Sequence, residues 1–155
     1  MHWHAFPLPR RAVTRAALLR SLVLALAALL ALAGCGSAST SANALDASQY
    51  AWSGAIRWGD FGGARNLVDP SVREANPLTE LQMERYEQIQ ISSYRDVGGA
   101  VDPGAGVAVR NIEIGVINRH TMAQRTVRYL ERWRWDEGTK SWWLTSDLPD
   151  LWAGQ

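Results

Sequence analysis

Cysteine is almost absent from this chain: among 155 residues there is one, Cys35. None follows it, which excludes a disulfide framework and a cysteine-ligated zinc site in the remainder. Histidine is nearly as scarce. His2 and His4 stand at the start and His120 alone follows Cys35, so a histidine-rich metal site is excluded as well. There is no glycine-rich phosphate loop and no Gly-x-Ser-x-Gly elbow, which removes two common nucleotide-binding and hydrolase signatures. No internal repeat is visible. A long apolar run is missing too: the stretch from Leu22 to Ala33 has 12 residues. As a helix it would span about 18 Å, short of the ~30 Å hydrocarbon core of a bilayer.

What the front of the chain does contain is a pattern. Arg10, Arg11, Arg15 and Arg20 make the first twenty residues basic, with no acid among them. The apolar run follows, and small residues close it. A basic region, a short apolar region and a small-residue junction describe an export signal, because the peptidase takes the chain extended and has shallow pockets before the cut. Leu32-Ala33-Gly34-Cys35 resembles a bacterial lipobox. The resemblance implies cleavage between Gly34 and Cys35, a diacylglycerol on the Cys35 thiol and acylation of the freed amine. Each buried CH₂ is worth ~0.8 kcal/mol, so one acyl chain anchors reversibly and two or three anchor stably. Residues 1–34 are then a signal peptide. In a host with two membranes, Gly36 after the cysteine resembles a signal sorted to the outer membrane, since Asp there is the usual retention residue. An ordinary signal with a bystander thiol, or an uncleaved anchor, is the alternative.

Removing residues 1–34 changes the charge argument. All 15 acids lie after Cys35, whereas four of the 16 basic residues lie before it. The remainder has 12 basic and 15 acidic groups, a net charge of −3 in place of +1. That balance gives no support for a nucleic-acid partner, which needs a concentrated basic surface. Residues 35–45 read as the lipidated cysteine and a flexible tether, because Gly36 to Ala44 are small or polar and bury little. Residues 46–155 suffice for one modest core and not for two.

Within that domain the apolar spacing begins helical. Asp46 or Ser48 can cap a helix carrying Ala47, Ala51, Trp52, Ala55, Ile56 and, at its end, Trp58, stopped by Gly59. Asp60 can cap a shorter helix through Phe61, Ala64, Leu67 and Val68, ended by Asp69-Pro70. Thr79 with Gln82 resembles a capping box opening a third helix through about Arg85. The period then changes to two. Strands are predicted over 87–97, 107–118, 121–135 and 141–146. In the second, Val107 and Val109 lie on one parity and Ile112, Ile114 and Val116 on the other, which predicts a bulge near Arg110-Asn111. Leu148, Pro149, Leu151 and Trp152 form an apolar tail expected to fold back. The predicted class is α+β, with N-terminal helices on a curved antiparallel sheet of about four strands.

The order of elements, the turn Trp58-Gly59-Asp60-Phe61 and the Trp-rich final hairpin resemble the nuclear transport factor 2-like, ketosteroid-isomerase-like superfamily, and more broadly the cystatin-like folds. No Gln-x-Val-x-Gly loop is present, which argues against a protease inhibitor. The chain is also short of the six strands of a full cone, so an open version is expected. The superfamily resemblance implies a pocket on the helix-facing side of the sheet, where its enzymes place catalytic acids.

Glu131 is the candidate for such an acid. It shares its parity with Val127, Tyr129, Trp133 and Trp135, and so is the polar exception on the apolar face. A carboxylate there is either a general base in a pocket, the partner of an arginine, or a residue near the open end of the sheet. The opposite parity carries Arg128, Arg132 and Arg134, with Arg119 and Arg125 nearby. With Trp143 they form a candidate binding surface for an acidic partner or lipid headgroups, or simply a solvated face. Trp133 and Trp135 are assigned to the core, with one of the adjacent pair Trp142 and Trp143, the other facing outward or under the tail, and His120 to an exposed turn. The functional expectation is a membrane-anchored lipoprotein of the bacterial envelope with a small non-catalytic binding domain. The alternative is a small isomerase or hydratase using Glu131 as base. The covalent lipid on Cys35 is the one non-protein group expected, with no metal and no other cofactor. An envelope protein or ligand is the expected partner.

Overall fold

The computed structural model describes residues 40–152. The expected signal peptide, the Gly34–Cys35 junction and the lipidated cysteine lie outside the described residues. Four helices precede four strands: α1 over residues 40–58, α2 (Phe61–Arg65), α3 (Pro70–Ala75), α4 (Glu80–Glu87), β1 (Ile89–Asp102), β2 (Val107–Asn118), β3 (Gln124–Asp136) and β4 (Ser141–Leu144). The strands form one open antiparallel sheet in the order β1-β2-β3-β4. This is the expected α+β class. Among the described residues no helix is long and apolar enough to cross a membrane.

α1 corrects the expected tether. It is already helical at residue 40, so residues 40–45 belong to the folded body, and Leu45 is buried with Trp52 and Ile56. Ala42, Ala44 and Ala47 favour a helix intrinsically, and packing of the Leu45–Trp52–Ile56 stripe extends it. The indole N–H of Trp142 on β4 donates to the Ser41 carbonyl at 2.8 Å and fixes the first described turn. At the far end Gly59 takes φ +71°. Its N–H donates to Ile56 O at 3.1 Å, and that of Asp60 to Ala55 O at 2.9 Å, the paired closure of a glycine-stopped helix.

Asp60 caps α2 through Gly63 N–H, and Thr79 with Gln82 forms the reciprocal capping box of α4, both as read from the sequence. The second helix is shorter than expected: α2 stops at Arg65 with Asn66 as its C-cap, so Leu67 and Val68 lie outside it and Asp69-Pro70 does not end it. The Asp69 side chain accepts from Ser71 N–H with Pro70 in the first turn, so the pair opens α3. Just before it, Val68 makes a parallel bridge to Leu144, and Asp69 N–H donates to Leu144 O at 2.8 Å. This short segment covers the outer edge of β4 and leaves β1 as the free edge of the sheet.

The predicted bulge in β2 is not there. β2 pairs with β3 without a shift from Val107–Arg134 to Ile117–Gln124. The irregularities lie in β1 instead, between Ile91 and Ser93 and between Asp96 and Gly98. Gly98 takes φ +133° at the second, and a Cβ on Gly99 would stand 2.2 Å from Val109 O, so this stretch tolerates little else. With β2 regular, Ala108, Arg110, Ile112, Ile114 and Val116 all point to the helices, and Val107 and Val109 point away.

The core lies between that face and the helices. Trp52 and Trp133 are 0 % and 1 % exposed and meet edge to face, with ring centroids 6.3 Å apart. The tail folds back as expected: Leu151 is fully buried, Tyr86 donates its hydroxyl to Pro149 O at 3.1 Å, and Trp152 packs against Tyr86. Trp133→Ala removes a ring at the centre of this core and is expected to cost ~3–5 kcal/mol. Chemical denaturation checks it, and an unchanged midpoint would place the ring in solvent.

Candidate functional site

β3 carries Glu131 to the middle of the helix-facing side of the sheet. The period of two that aligns Val127, Tyr129 and Trp133 toward the helices turns the carboxylate the same way, and it is fully buried. Its direct cross-strand partner is Arg110. Arg110 donates from Nε and Nη2 to Glu131 Oε2 at 2.9 and 2.7 Å. The Trp133 indole N–H donates to the same oxygen at 3.0 Å, and the Tyr94 hydroxyl donates to Oε1. Both oxygens are therefore engaged by charged or aromatic donors. Arg110 also stands 3.8 Å from Asp96, at the mouth of the pair where its side chain keeps 16 % exposure. Burial, then the charge of Glu131 and its hydrogen bond, push the Tyr94 hydroxyl pKa upward, so Tyr94 stays a donor.

This arrangement holds the carboxylate in place; it does not present a free base. A general base needs an oxygen within reach of a substrate proton. Here one carboxylate oxygen takes three N–H groups and the other a hydroxyl. Arg110 is the residue that sequence reading missed. Its signal was the apparent slip in β2: an inward arginine, not an inserted residue, interrupts the apolar alternation directly opposite the inward glutamate.

Arg128, Arg132, Arg134 and Trp143 lie together on the opposite face of the sheet. They differ in freedom. Arg134 pairs with Asp69 and reaches Asp136 at 3.5 Å, tying β3 to the start of α3 across β4. Arg128 is largely in water, 3.7 Å from Glu113, which Arg95 also holds. Arg132 is exposed, and its guanidinium forms no ion pair among the described residues. Trp143 is half-buried and is the cross-strand neighbour of Arg134. Arg125 departs from expectation: it shares its row with inward Val116 and donates to the Leu151 carbonyl, so it secures the tail. His120 sits exposed in the β2–β3 turn, where Asn118 accepts from its backbone N–H at 2.9 Å. No group of acids and histidines that could hold a metal ion occurs among the described residues.

Two outcomes follow from these pairs. Glu131→Gln leaves the Arg110 charge without its counterpart, and breaking such a buried pair typically costs ~3–5 kcal/mol. In an Arg110→Met background the same substitution should cost much less, because the amide oxygen still accepts from Tyr94 or Trp133. Equal costs in both backgrounds, measured by urea unfolding, would show that the ion pair contributes nothing. The second concerns Asp69. Burial raises its pKa, but the hydrogen bonds from Arg134 and Ser71 outweigh that and hold it below the usual value. A carboxyl depressed in the folded state stabilises fully above its unfolded pKa and loses that contribution as pH falls through the folded one. The thermal midpoint of the parent should therefore drop more steeply below about pH 4 than that of Asp69→Asn. Parallel curves would remove Asp69 from the acid response.

No protein-family model matches the chain, and no curated protein does. Among solved structures it is similar to the solution structure of a SEC-C motif containing protein from Rhodopseudomonas palustris. The TM-score is 0.48 at 13 % identity, over 59 % of this chain and 67 % of that one, and the likeness carries no functional argument.

Proposed function

We propose that this chain is a lipoprotein of the bacterial cell envelope whose α+β domain acts by binding and not by catalysis. The observation that carries the reading is the junction Leu32-Ala33-Gly34-Cys35. It places the chain's only thiol directly after a basic segment and a short apolar run. A covalent lipid on Cys35 then holds the domain at a membrane, on the periplasmic face of the outer membrane where the host has two.

The non-catalytic part of the proposal draws on the surroundings of Glu131. The resemblance to the nuclear transport factor 2-like superfamily directs attention to the helix-facing side of the sheet. Trp52, Tyr129 and Trp133 occupy that side, with Trp52 and Tyr129 stacked at 6.3 Å, and the one carboxylate among them is held by four donors. That favours recognition by an outer surface over chemistry in a pocket. The face bearing Arg128, Arg132, Arg134 and Trp143 is the surface we assign to it.

Cys35→Ser tests the anchor. The variant should accumulate as unprocessed precursor by the lipoprotein route and incorporate no labelled fatty acid, whereas the parent incorporates it and fractionates with membranes. Labelling that persists in the variant removes the lipoprotein reading.

A further inference from the structure

We infer that the end of the sheet formed by the β1–β2 turn, the β3–β4 turn and the start of α1 rests on the lipid surface. The inference depends on the proposed lipidation of Cys35 and adds which part of the domain meets the bilayer.

The first argument is the length of chain. Four residues, 36–39, separate Cys35 from residue 40, which is already helical. Fully extended, the path from Cys35 to residue 40 is at most about 18 Å. A lipid-anchored cysteine sits at the membrane surface, so the start of α1 is confined to the layer just above the headgroups. The expected ten-residue tether would have given the domain far more freedom.

The second argument is what lies beside the start of α1. Trp142 binds the Ser41 carbonyl and so joins this end of the helix to the β3–β4 hairpin. Trp135, paired with Trp142, donates its backbone N–H to Gly106 O at 2.8 Å and joins the β1–β2 turn to the same end. The opposite end of the sheet, with the β2–β3 turn around His120, is held away.

The third argument is the chemistry of that end. Val101 and Val107 flank the turn Pro103-Gly104-Ala105-Gly106 and are 54 % and 44 % exposed. The carboxylate of Asp102 folds back to accept from Ala105 N–H at 3.0 Å, and Glu137 pairs with Lys140 across the other turn. The acids nearest the surface are thus internally bonded. Behind the tip, one cross-strand row joins Val107, Arg134 and Trp143, and the next joins Val109 and Arg132. An apolar tip backed by an indole and the exposed guanidinium of Arg132 matches the layered chemistry of a bilayer interface: acyl boundary, carbonyl level, phosphate.

The test uses the lipidated, processed protein, from Cys35 onward, in vesicles of phosphatidylethanolamine and phosphatidylglycerol. Val101→Cys and His120→Cys are each labelled with an environment-sensitive fluorophore, one at the inferred contact and one at the far end. An alkylated Cys35 takes no dye, so the parent protein reports the anchor itself. The Val101 label should shift to the blue on reconstitution and be quenched by nitroxide-bearing lipid, while the His120 label keeps its emission in water. Inserting twenty Gly/Ser residues after Gly36, with a reach of about 25 Å as a flexible coil, should weaken the quenching at Val101. A parent that takes dye at Cys35 and lacks the acyl mass overturns the lipoprotein reading and the inference with it. An acylated protein whose Val101 label is as water-exposed as its His120 label overturns the inference alone.

Discussion

The buried pair of Arg110 and Glu131 constrains the rest of the domain. Taking two charges out of water costs several kcal/mol per ion, and their attraction offsets this only where geometry and further hydrogen bonds are good. Here the guanidinium grips one carboxylate oxygen with two donors, Trp133 adds a third to it and Tyr94 supplies one to the other. The pair also fixes register. Slipping β2 against β3 by one residue would send Arg110 to the outer face and strand a bare carboxylate among Trp52, Tyr129 and Trp133. Three strands and the α1 stripe are thereby held in one alignment by a single polar centre inside an apolar layer.

The same centre explains where sequence reading succeeded and where it did not. Local signals were legible. Gly59, Asp60 and the Thr79/Gln82 box mark helix ends through backbone hydrogen bonds that neighbouring residues supply, and all act as read. The parity of β3, which sent Glu131 inward and Arg128, Arg132 and Arg134 outward, needed only a period of two. The nonlocal facts were not legible. Arg110 reads as a defect in β2 until the residue opposite it is known, and that pairing follows from a hairpin register, not from the strand itself. The bulges of β1 fall at Ser92 and Val97, where the apolar pattern is too thin to show a slip. Asp69-Pro70 reads as an ending, yet α2 stops at Arg65 and the pair opens α3, where the Asp69 carboxylate also holds Arg134, 65 residues away.

The start of α1 shows the reverse case, in which composition misleads. Ser, Ala, Thr and Asn in residues 36–44 describe a flexible segment when nothing is packed against it. Once Leu45 and Trp52 are buried and Trp142 holds the Ser41 carbonyl, the alanines extend a helix that their neighbours would not form alone. A domain expected to follow a ten-residue tether instead begins at residue 40, five residues after Cys35.

The folded-back tail has a consequence in time. Leu151 is fully buried in the same core as Leu45, and the carbonyls of Pro149 and Leu151 occupy the Tyr86 hydroxyl and the Arg125 guanidinium. A nascent chain that has reached only β4 therefore has a sheet but an open floor beneath Tyr86 and Phe61. Closure waits for residue 151 to emerge. Until then the Tyr86 hydroxyl lacks the acceptor, and the core the apolar side chain, that the tail supplies.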